Sequence, residues 1–231
     1  MIGFICALAI EVEGIVNTME NKEETTVAKI TYHKGEIGGK EVVCCECGIG
    51  KVNAAMSTQI MIDLYRPDVI INSGIAGSLS GDIHIGDIVV SDDCVQHDMD
   101  GTEMGDPPGE IWFNDEKRIE IPADKDTADR LFAACKTIPE IGVFRGRIAS
   151  GDTFVAAHER RQRIADMFSA LACEMEGAAV GCVCYRNGVP FAILRSISDD
   201  FNNNEFVDFM EFRFIAAERS IQAIKEFIGM Y

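Results

Sequence analysis

The chain alternates short apolar segments with longer helical ones over its 231 residues, and this alternation constrains the fold more than any other feature. Residues 190–197 are almost continuously apolar, which is typical of a strand buried on both faces of a sheet. A similar strand pattern at residues 2–8 is followed by a helical pattern at residues 11–19. Strands that alternate with helices predict a single-domain three-layer α/β/α fold over residues 1–231, with a central mixed, largely parallel sheet.

The remaining elements follow from the same patterns. We expect strands at residues 26–33, 41–47, 68–72 and 143–150, a strand or a pair of strands at residues 83–91, and helices at residues 51–65, 126–136, 158–168, 174–187 and 207–227. The glycine pair Gly38 and Gly39 indicates a hairpin between the strands on either side. Residues 98–109, rich in Gly, Pro and Asp, indicate a loop.

The charge of the chain limits its partners. Its 21 basic and 38 acidic residues give a net charge of −17, which repels nucleic-acid phosphates and anionic lipid but not a neutral or zwitterionic small molecule. The apolar start at residues 2–10 is short, has no basic beginning and meets Glu11, so it predicts a buried strand rather than a signal or membrane anchor. We therefore expect a cytoplasmic protein.

Nine cysteines without an export signal indicate reduced thiols. Cys44 and Cys47 have the spacing of a redox or metal motif. They lie on a predicted strand, however, where residues three apart face opposite ways. The four histidines are scattered without ligand spacing. We expect no metal and no organic cofactor.

Ligands of such folds bind beyond the carboxyl ends of the strands, so the residues that follow each strand are the candidates for a site. Acids, glycines and an aromatic side chain collect there: Glu11, Gly48, Gly50, Gly74, Gly77, Asp152, Phe154, Glu174, Glu176 and Asp199. The pair Gly48 and Gly50 is not a dinucleotide fingerprint, because Asn53 stands where the third glycine is required.

Each candidate also has a purely structural interpretation. Glu11, Glu174 and Glu176 are acids near helix starts, where the helix dipole favours them. Asp199 fits a cap or turn, and aromatic residues such as Phe154 and Phe209 are more often core than stacking platforms. From the residues alone, the sequence predicts a pocketed α/β protein with clustered acids and nothing more specific.

Taken in order, these segments resemble the methylthioadenosine/S-adenosylhomocysteine nucleosidases of the purine nucleoside phosphorylase-like family. The resemblance extends from Gly3 to about Ala217. The matching blocks are residues 7–11, 47–52 and 68–72, Ser-Gly-Asp at 150–152 leading to Phe154, Glu-Met-Glu at 174–176, and Arg-Ser-Ile-Ser-Asp at 195–199.

The resemblance implies hydrolysis of an N-glycosidic bond through an oxocarbenium-like ribosyl cation. Asp199, held by Ser198, would protonate N7 of the departing adenine. Glu11 would act as the base for the attacking water, and Glu176 would bind the ribose hydroxyls and stabilise the cation. Such a proton donor needs a raised pKa, which we expect from a dry apolar pocket.

The resemblance also implies a set of binding residues. Phe154 would stack on adenine, the backbone of Val155 would bind the base edge, and Met175 would pack on the ribose. Glu174 and Arg195 look like supporting residues. The other expected contacts are Ile75, Ala76 and Gly77 near the base, Leu8, Ile49 and Phe209 around the 5′-alkylthio group, and Met104 and Pro108 from the partner subunit of a homodimer.

Two alternatives stay open, and so does the substrate. A phosphorylase on the same fold would need arginines for phosphate, whereas Glu11 is an acid and the segment 73–77 has no arginine. A non-catalytic nucleoside-binding protein is the other alternative, since folds do not dictate function. Ile75 replaces a common serine and the 98–109 loop is short, which leaves the choice among methylthioadenosine, S-adenosylhomocysteine and 5′-deoxyadenosine open.

Overall fold

The structure, a computed structural model, describes residues 1–201 and 205–231, without the side chains of residues 205–211. The strands are β1 (Ile2–Cys6), β2 (Glu20–Val27), β3 (Ile30–Ile37), β4 (Lys40–Glu46), β5 (Val69–Ser78), β6 (Ile88–Gln96), β7 (Ile111–Trp112), β8 (Lys117–Arg118), β9 (Ile121–Pro122), β10 (Val143–Ser150), β11 (Ala170–Glu174) and β12 (Phe191–Asp199). The helices are α1 (Ala9–Val16), α2 (Lys51–Tyr65), α3 (Lys125–Cys135), α4 (His158–Phe168), α5 (Gly177–Asn187) and α6 (Glu205–Met230).

One mixed sheet forms the middle layer, in the strand order β11-β10-β6-β12-β5-β1-β4-β3-β2, with β9 paired to β6. The pairings of β1 with β4 and β5, of β12 with β5, and of β10 with β6 and β11 are parallel. Antiparallel pairings join β12 to β6, β11 to β5, and β2 to β3 to β4. The predicted three-layer α/β/α fold with a mixed, largely parallel sheet is confirmed.

Helices cover both faces of the sheet, which explains the continuous apolar segments. Phe4 of β1 and Leu194 of β12 belong to the core cluster that includes residues of α1 and α3 and the C-terminal part of α6. Their neighbours Ile5 and Ile193 point the other way, into a cluster with α2 and α5. Within the described residues, no helix is both long and apolar enough to cross a membrane.

Several predicted elements have wrong bounds. The strand predicted at residues 83–91 begins only at Ile88 and extends to Gln96. The chain does not continue as one strand through residues 26–33, because it reverses at Ala28 and Lys29, which both have positive φ (52° and 65°). All of β2 is exposed, so no apolar pattern marked it. The helix predicted at 174–187 begins only at Gly177, since residues 170–174 form β11. By contrast, α2, α4 and β10 have the predicted bounds.

The cap of α3 gives a test of the fold. Asp124 Oδ1 accepts a hydrogen bond from the Thr127 N–H at 2.8 Å. We expect Asp124→Ala to lower the free energy of unfolding by about 0.5–2 kcal/mol, because this N–H loses its partner. Urea unfolding measures the change. Asp126→Ala, at an exposed position in the same turn, is the matched control; an equal loss in both variants would contradict the capping role.

Candidate active site

A cleft opens at the carboxyl ends of β1, β5, β10 and β12 and holds about 720 Å³ of empty space, part of it continuous with solvent. Segments far apart in sequence converge there, because β1, β5 and β12 are parallel and end at one edge of the sheet. The antiparallel pairing of β11 with the end of β5 brings the ends of β10 and β11 to the same place. Of the sequence-predicted site residues, the cleft is lined by Leu8, Glu11, Ile49, Ile75, Ala76, Gly77, Phe154, Val155, Glu174, Met175, Glu176, Ser198 and Asp199.

The floor of the cleft is an ion pair between Arg195 and Glu174, whose side chains are each about 2% exposed. Arg195 Nη2 also donates to Asn72 Oδ1 at 2.5 Å. Glu174 Oε2 accepts the N–H groups of Glu176 and Gly177 at 3.0 and 2.8 Å, so it caps the start of α5. Burial alone would raise the pKa of Glu174, but Arg195 and the Ser150 hydroxyl outweigh burial and hold this pKa below its ordinary value.

Glu11 is buried at the start of α1 and is held by backbone N–H groups. Its Oε2 accepts from Ala7 and Leu8, each at 3.0 Å, and its Oε1 accepts from Ile75 at 3.2 Å. A Cβ at Gly74 would lie 2.9 Å from Oε1, so only glycine allows this approach. Burial raises the pKa of Glu11, and the N–H groups together with Arg195 offset only part of that effect. Such a carboxylate is suited to accept a proton.

Glu176 lies between the other acids at the N-cap of α5. Its Oε1 accepts the Gly50 N–H at 2.9 Å, and its Oε2 lies 3.8 Å from Arg195 Nη2. Burial, and after it the negative charge of Glu174, raise the pKa of Glu176 to about 7. A positive charge above this carboxylate would relieve the cost of ionising it.

Asp199 ends β12 and receives two side-chain donors. The Ser198 hydroxyl donates to Oδ1 at 2.6 Å, as the resemblance led us to expect. The Arg161 guanidinium of α4 forms a buried ion pair with Oδ2. Asp199 is thus buried, but its neighbours are not purely apolar, because a cation contacts its carboxylate directly.

The Ser-Gly-Asp motif has a structural role in this geometry. Asp152 Oδ1 accepts the N–H of Lys51 at 2.7 Å, so it caps α2, whose own N-cap residue is a glycine. The Lys51 ammonium binds Asp98 at 2.7 Å, and Asp98 accepts the N–H of Asp152 at 2.8 Å. This closed ring fixes the loop of Gly50, and with it the N–H that binds Glu176.

Two predicted residues lie elsewhere, and a third is outside the described side chains. Met104, 73% exposed, and the half-buried Pro108 are on the loop before β7 and do not line the cleft of their own chain. Phe209 lies outside the residues whose side chains the structure describes. The loop is anchored by Asp106, which accepts from Trp112 Nε1 at 2.9 Å and binds Lys117 at 2.7 Å.

Sequence reasoning missed Arg161. It lies on the buried stripe of α4 with Ile164 and Phe168, at helical spacing, and is only 2% exposed. An arginine at a core-facing position of an amphipathic helix is a signal that the sequence carries, because a buried guanidinium requires a partner.

The cleft carries an excess of acid. Among the described residues that line it, four carboxylates stand against two guanidiniums, Arg161 and Arg195. Both guanidiniums are paired with carboxylates, Asp199 and Glu174. The arrangement therefore favours a cation and a water nucleophile over an anion. No group of three or more His, Cys, Asp or Glu residues in the described chain is arranged to hold a metal ion.

Comparison with known proteins agrees with this geometry. The model of the phosphorylase superfamily matches residues 1–229. The 5′-methylthioadenosine/S-adenosylhomocysteine nucleosidase of Shewanella halifaxensis is 40% identical over 216 residues, which cover 91% of each chain. The chain belongs to the methylthioadenosine/S-adenosylhomocysteine nucleosidase family of this superfamily.

Solved members of the nucleosidase family match the whole structure. The nucleosidase of Neisseria meningitidis, in complex with methylthio-immucillin-A, has a TM-score of 0.93 and 31% identity and covers 100% of this chain and 99% of its own. The futalosine hydrolase of Helicobacter pylori has a TM-score of 0.92 and 32% identity, and the match covers 100% of this chain and 97% of the hydrolase. Proteins named for different nucleosides thus share this fold almost completely.

The pKa of Glu176 predicts a pH-dependent change in stability. Because this pKa is about 7 in the folded protein and ordinarily 4.5, protonated Glu176 stabilises the fold fully below about pH 4.5, and this stability is lost as the pH rises through 7. Glu176→Gln keeps an oxygen for the Gly50 N–H and cannot ionise. We expect its Tm to exceed that of the wild type by several degrees at pH 8, with little difference at pH 5.

Thermal unfolding followed by circular dichroism at the two pH values measures this difference. Glu174→Gln is the matched control, because it weakens the pair with Arg195 and should lower Tm at both pH values. A Glu176→Gln variant that is less stable than the wild type at pH 8, or whose difference does not change with pH, would contradict the burial effect.

Proposed function

We propose that the protein hydrolyses the N-glycosidic bond of 5′-methylthioadenosine and S-adenosylhomocysteine, releasing adenine and the 5′-thioribose product, on one domain that spans residues 1–231. The observation that carries this proposal is the convergence of Glu11, Glu176 and Asp199 in one cleft. Family membership supports the same reaction, since relatives of 35–40% identity carry that name.

The proposed chemistry needs three acids in different roles. Asp199, once protonated, donates its proton to N7 of adenine so that the base leaves neutral. Glu11 removes a proton from the attacking water, a role favoured by its raised pKa and by the N–H groups that fix its position. Glu176 binds the ribose hydroxyls, and its negative charge stabilises the ribosyl cation.

The aromatic and apolar lining supports binding of an adenine nucleoside. Phe154 offers a stacking face for the base and the backbone of Val155 its polar edge; Met175 would cover the ribose. Leu8 and Ile49 line the same cleft and would contact the 5′-thioether. Ile75 contributes its N–H to Glu11, a contact that does not depend on its side chain.

Phosphorolysis is the weaker alternative. A phosphate nucleophile needs unpaired cationic or N–H donors, whereas the N–H groups of Ala7, Leu8 and Ile75 are already bound to the Glu11 carboxylate. Glu11 would repel the anion. A water nucleophile fits the same place without this penalty.

We also propose a homodimer. Ile49, Val52 and Met56 are exposed at 55%, 77% and 39% along one face at the start of α2, beside the cleft. Exposed apolar side chains grouped in this way are typical of a contact surface. Met104, on the anchored loop before β7, and Pro108 would then reach the cleft of the partner. A cytoplasmic role in methionine salvage is consistent with the proposed substrates.

The reaction is tested by measuring free adenine from methylthioadenosine, S-adenosylhomocysteine, 5′-deoxyadenosine and adenosine, with and without inorganic phosphate. We expect release from the 5′-thioether substrates at the same rate in both conditions, since water is the nucleophile. A strict requirement for phosphate would establish the phosphorylase instead. Binding of the nucleosides without any release would leave only a binding protein.

The dimer is tested with Val52→Asp, which places a charge in the exposed face of α2. We expect sedimentation to show a dimer for the wild type and a monomer for the variant, with a raised KM for methylthioadenosine because the pocket loses its partner wall. Met167→Asp, at a 51% exposed position on α4, is the matched control and should stay dimeric. A wild type that is monomeric and fully active defeats the proposal.

A further inference from the structure

A second concave surface adjoins the cleft, and the proposed chemistry does not use it. This side groove lies between α1, from Ala9 to Asn17, and the strands β3 and β4. It holds about 1270 Å³ of empty space, part of it continuous with solvent. Within the described residues, α2, which carries the proposed dimer face, contributes nothing to its lining. The side groove is therefore a surface separate from the proposed subunit contact.

The side groove begins where one end of the cleft stops. Leu8 lines the cleft, and the next residue, Ala9, lines the side groove. In the same way Ile49 lines the cleft and its neighbour Gly48 lines the side groove. Ala9 and Gly48 project at most one methyl group, so these two positions leave the boundary open. A substituent that extends past Leu8 and Ile49 therefore enters the side groove.

Lys29 lies at the end of the side groove nearest to the cleft. The strands β3 and β4 pair so that Tyr32 is opposite Cys45, and continuing this antiparallel register places Lys29 opposite Gly48. The turn residues Ala28 and Lys29 both have positive φ, 52° and 65°, where glycine and asparagine are usual. A lysine is thus retained here at a cost in backbone energy, which is typical of functional positions.

The side groove carries charges of both signs. Glu13 of α1 and Glu46 at the end of β4 are exposed acids in its lining, and Lys29 is an exposed cation. No ion pair of the described residues involves any of these three groups. Farther along the hairpin, His33 Nδ1 and Glu24 Oε1 lie 3.1 Å apart and face each other. Unpaired charges of both signs in one concave surface favour a zwitterion over a ligand of a single charge.

We propose that the side groove binds the homocysteine end of S-adenosylhomocysteine, with Lys29 contacting its carboxylate and Glu46 its ammonium. The inference rests on the proposed function, which supplies the substrate, and it specifies how the longer of the two thioethers is held. Methylthioadenosine ends in a methyl group and does not reach these charges. Lys29 and Glu46 would therefore set the preference between the two substrates without touching the reacting atoms.

The length of the homocysteine tail fits this placement. The proposed function puts the sulfur beside Leu8 and Ile49, at the boundary with the side groove. The charged groups of the tail reach about 5 Å beyond the sulfur, farther than the roughly 3.8 Å between successive Cα atoms. An extended tail thus passes the level of Ala9 and Gly48 and brings its carboxylate and ammonium into the side groove.

The first measurement compares kcat/KM across substrates that differ only at the sulfur. They are methylthioadenosine, S-adenosylhomocysteine, and the analogues with an aminopropyl or a carboxypropyl group, which keep only the ammonium or only the carboxylate of homocysteine. In Lys29→Gln we expect kcat/KM for S-adenosylhomocysteine and the carboxypropyl analogue to fall by about 2–5-fold relative to methylthioadenosine, as for loss of an exposed ion pair. The aminopropyl analogue should show no such loss.

Glu46→Gln tests the other half of the pairing. It should lower kcat/KM, relative to methylthioadenosine, for S-adenosylhomocysteine and the aminopropyl analogue but not for the carboxypropyl analogue. The matched controls are Lys22→Gln and Glu23→Gln, at exposed positions of β2 outside the lining. They change the net charge by the same amounts, so they separate a direct contact from the long-range field of the protein. We expect both controls to keep the wild-type substrate ratios.

The second measurement needs no turnover and uses the wild-type protein. Calorimetry gives the Kd of a carbocyclic 5′-methylthioadenosine analogue, which cannot form the oxocarbenium ion, and of the carbocyclic S-adenosylhomocysteine analogue, which adds the charged tail. We expect the Kd of the tailed ligand to rise more steeply with salt concentration, because salt screens exposed ion pairs.

Equal losses for the carboxypropyl and aminopropyl analogues in Lys29→Gln, or no loss for either, overturn the inference. A loss in Lys22→Gln as large as that in Lys29→Gln overturns it as well, and so does the same salt dependence for both carbocyclic ligands. Failure of the proposed function is recognised separately. The wild type would then release no adenine from any nucleoside, whereas the carbocyclic titrations would still decide whether the side groove binds the tail.

Discussion

The buried guanidinium of Arg195 is the interaction on which the site depends. It lies at the middle of β12, a central strand of the sheet, and it compensates Glu174, whose carboxylate in turn caps α5 and is hydrogen-bonded to Ser150. Without this cation, the carboxylates around it would carry a large desolvation cost. Arg195 compensates them unequally: Glu174 is held ionised, whereas the pKa values of Glu11 and Glu176 are raised.

This inequality has a chemical use. A carboxylate whose charge is already neutralised by a nearby cation gains little stabilisation when a second cation arrives. A carboxylate without such a partner gains much more. Glu176 and Glu11 are of the second kind, and they line the cleft in which a ribosyl cation would form. The fold thus stores an unfavourable charge arrangement that the transition state would relieve, which is the general form of electrostatic catalysis. We expect this charge arrangement to lower the free energy of unfolding at neutral and alkaline pH.

Much of this arrangement could be predicted from the sequence. The apolar segments indicated the buried strands, and the parallel strands β1 and β12 bring Glu11 and Asp199 to one edge of the sheet. Glu176 follows β11, which reaches the same edge through an antiparallel pairing with β5 that no sequence pattern predicted. Exposed β2 had no apolar pattern to reveal it, and the strand β11 was absorbed into the helix that follows. Arg161 was missed for a different reason. Its pairing with Asp199 joins α4 to β12 across 38 residues, and a spacing rule within one element does not reach that far.

The most direct test of the central claim, that these acids carry out the chemistry, is the kinetic comparison of Asp199→Asn with the wild type. An asparagine amide keeps the shape of the side chain and can donate a hydrogen bond to N7, but it cannot give up a proton. The account predicts that kcat falls by about 10²–10⁴-fold while the carbocyclic 5′-methylthioadenosine analogue still binds. A variant that keeps most of its turnover would contradict the account.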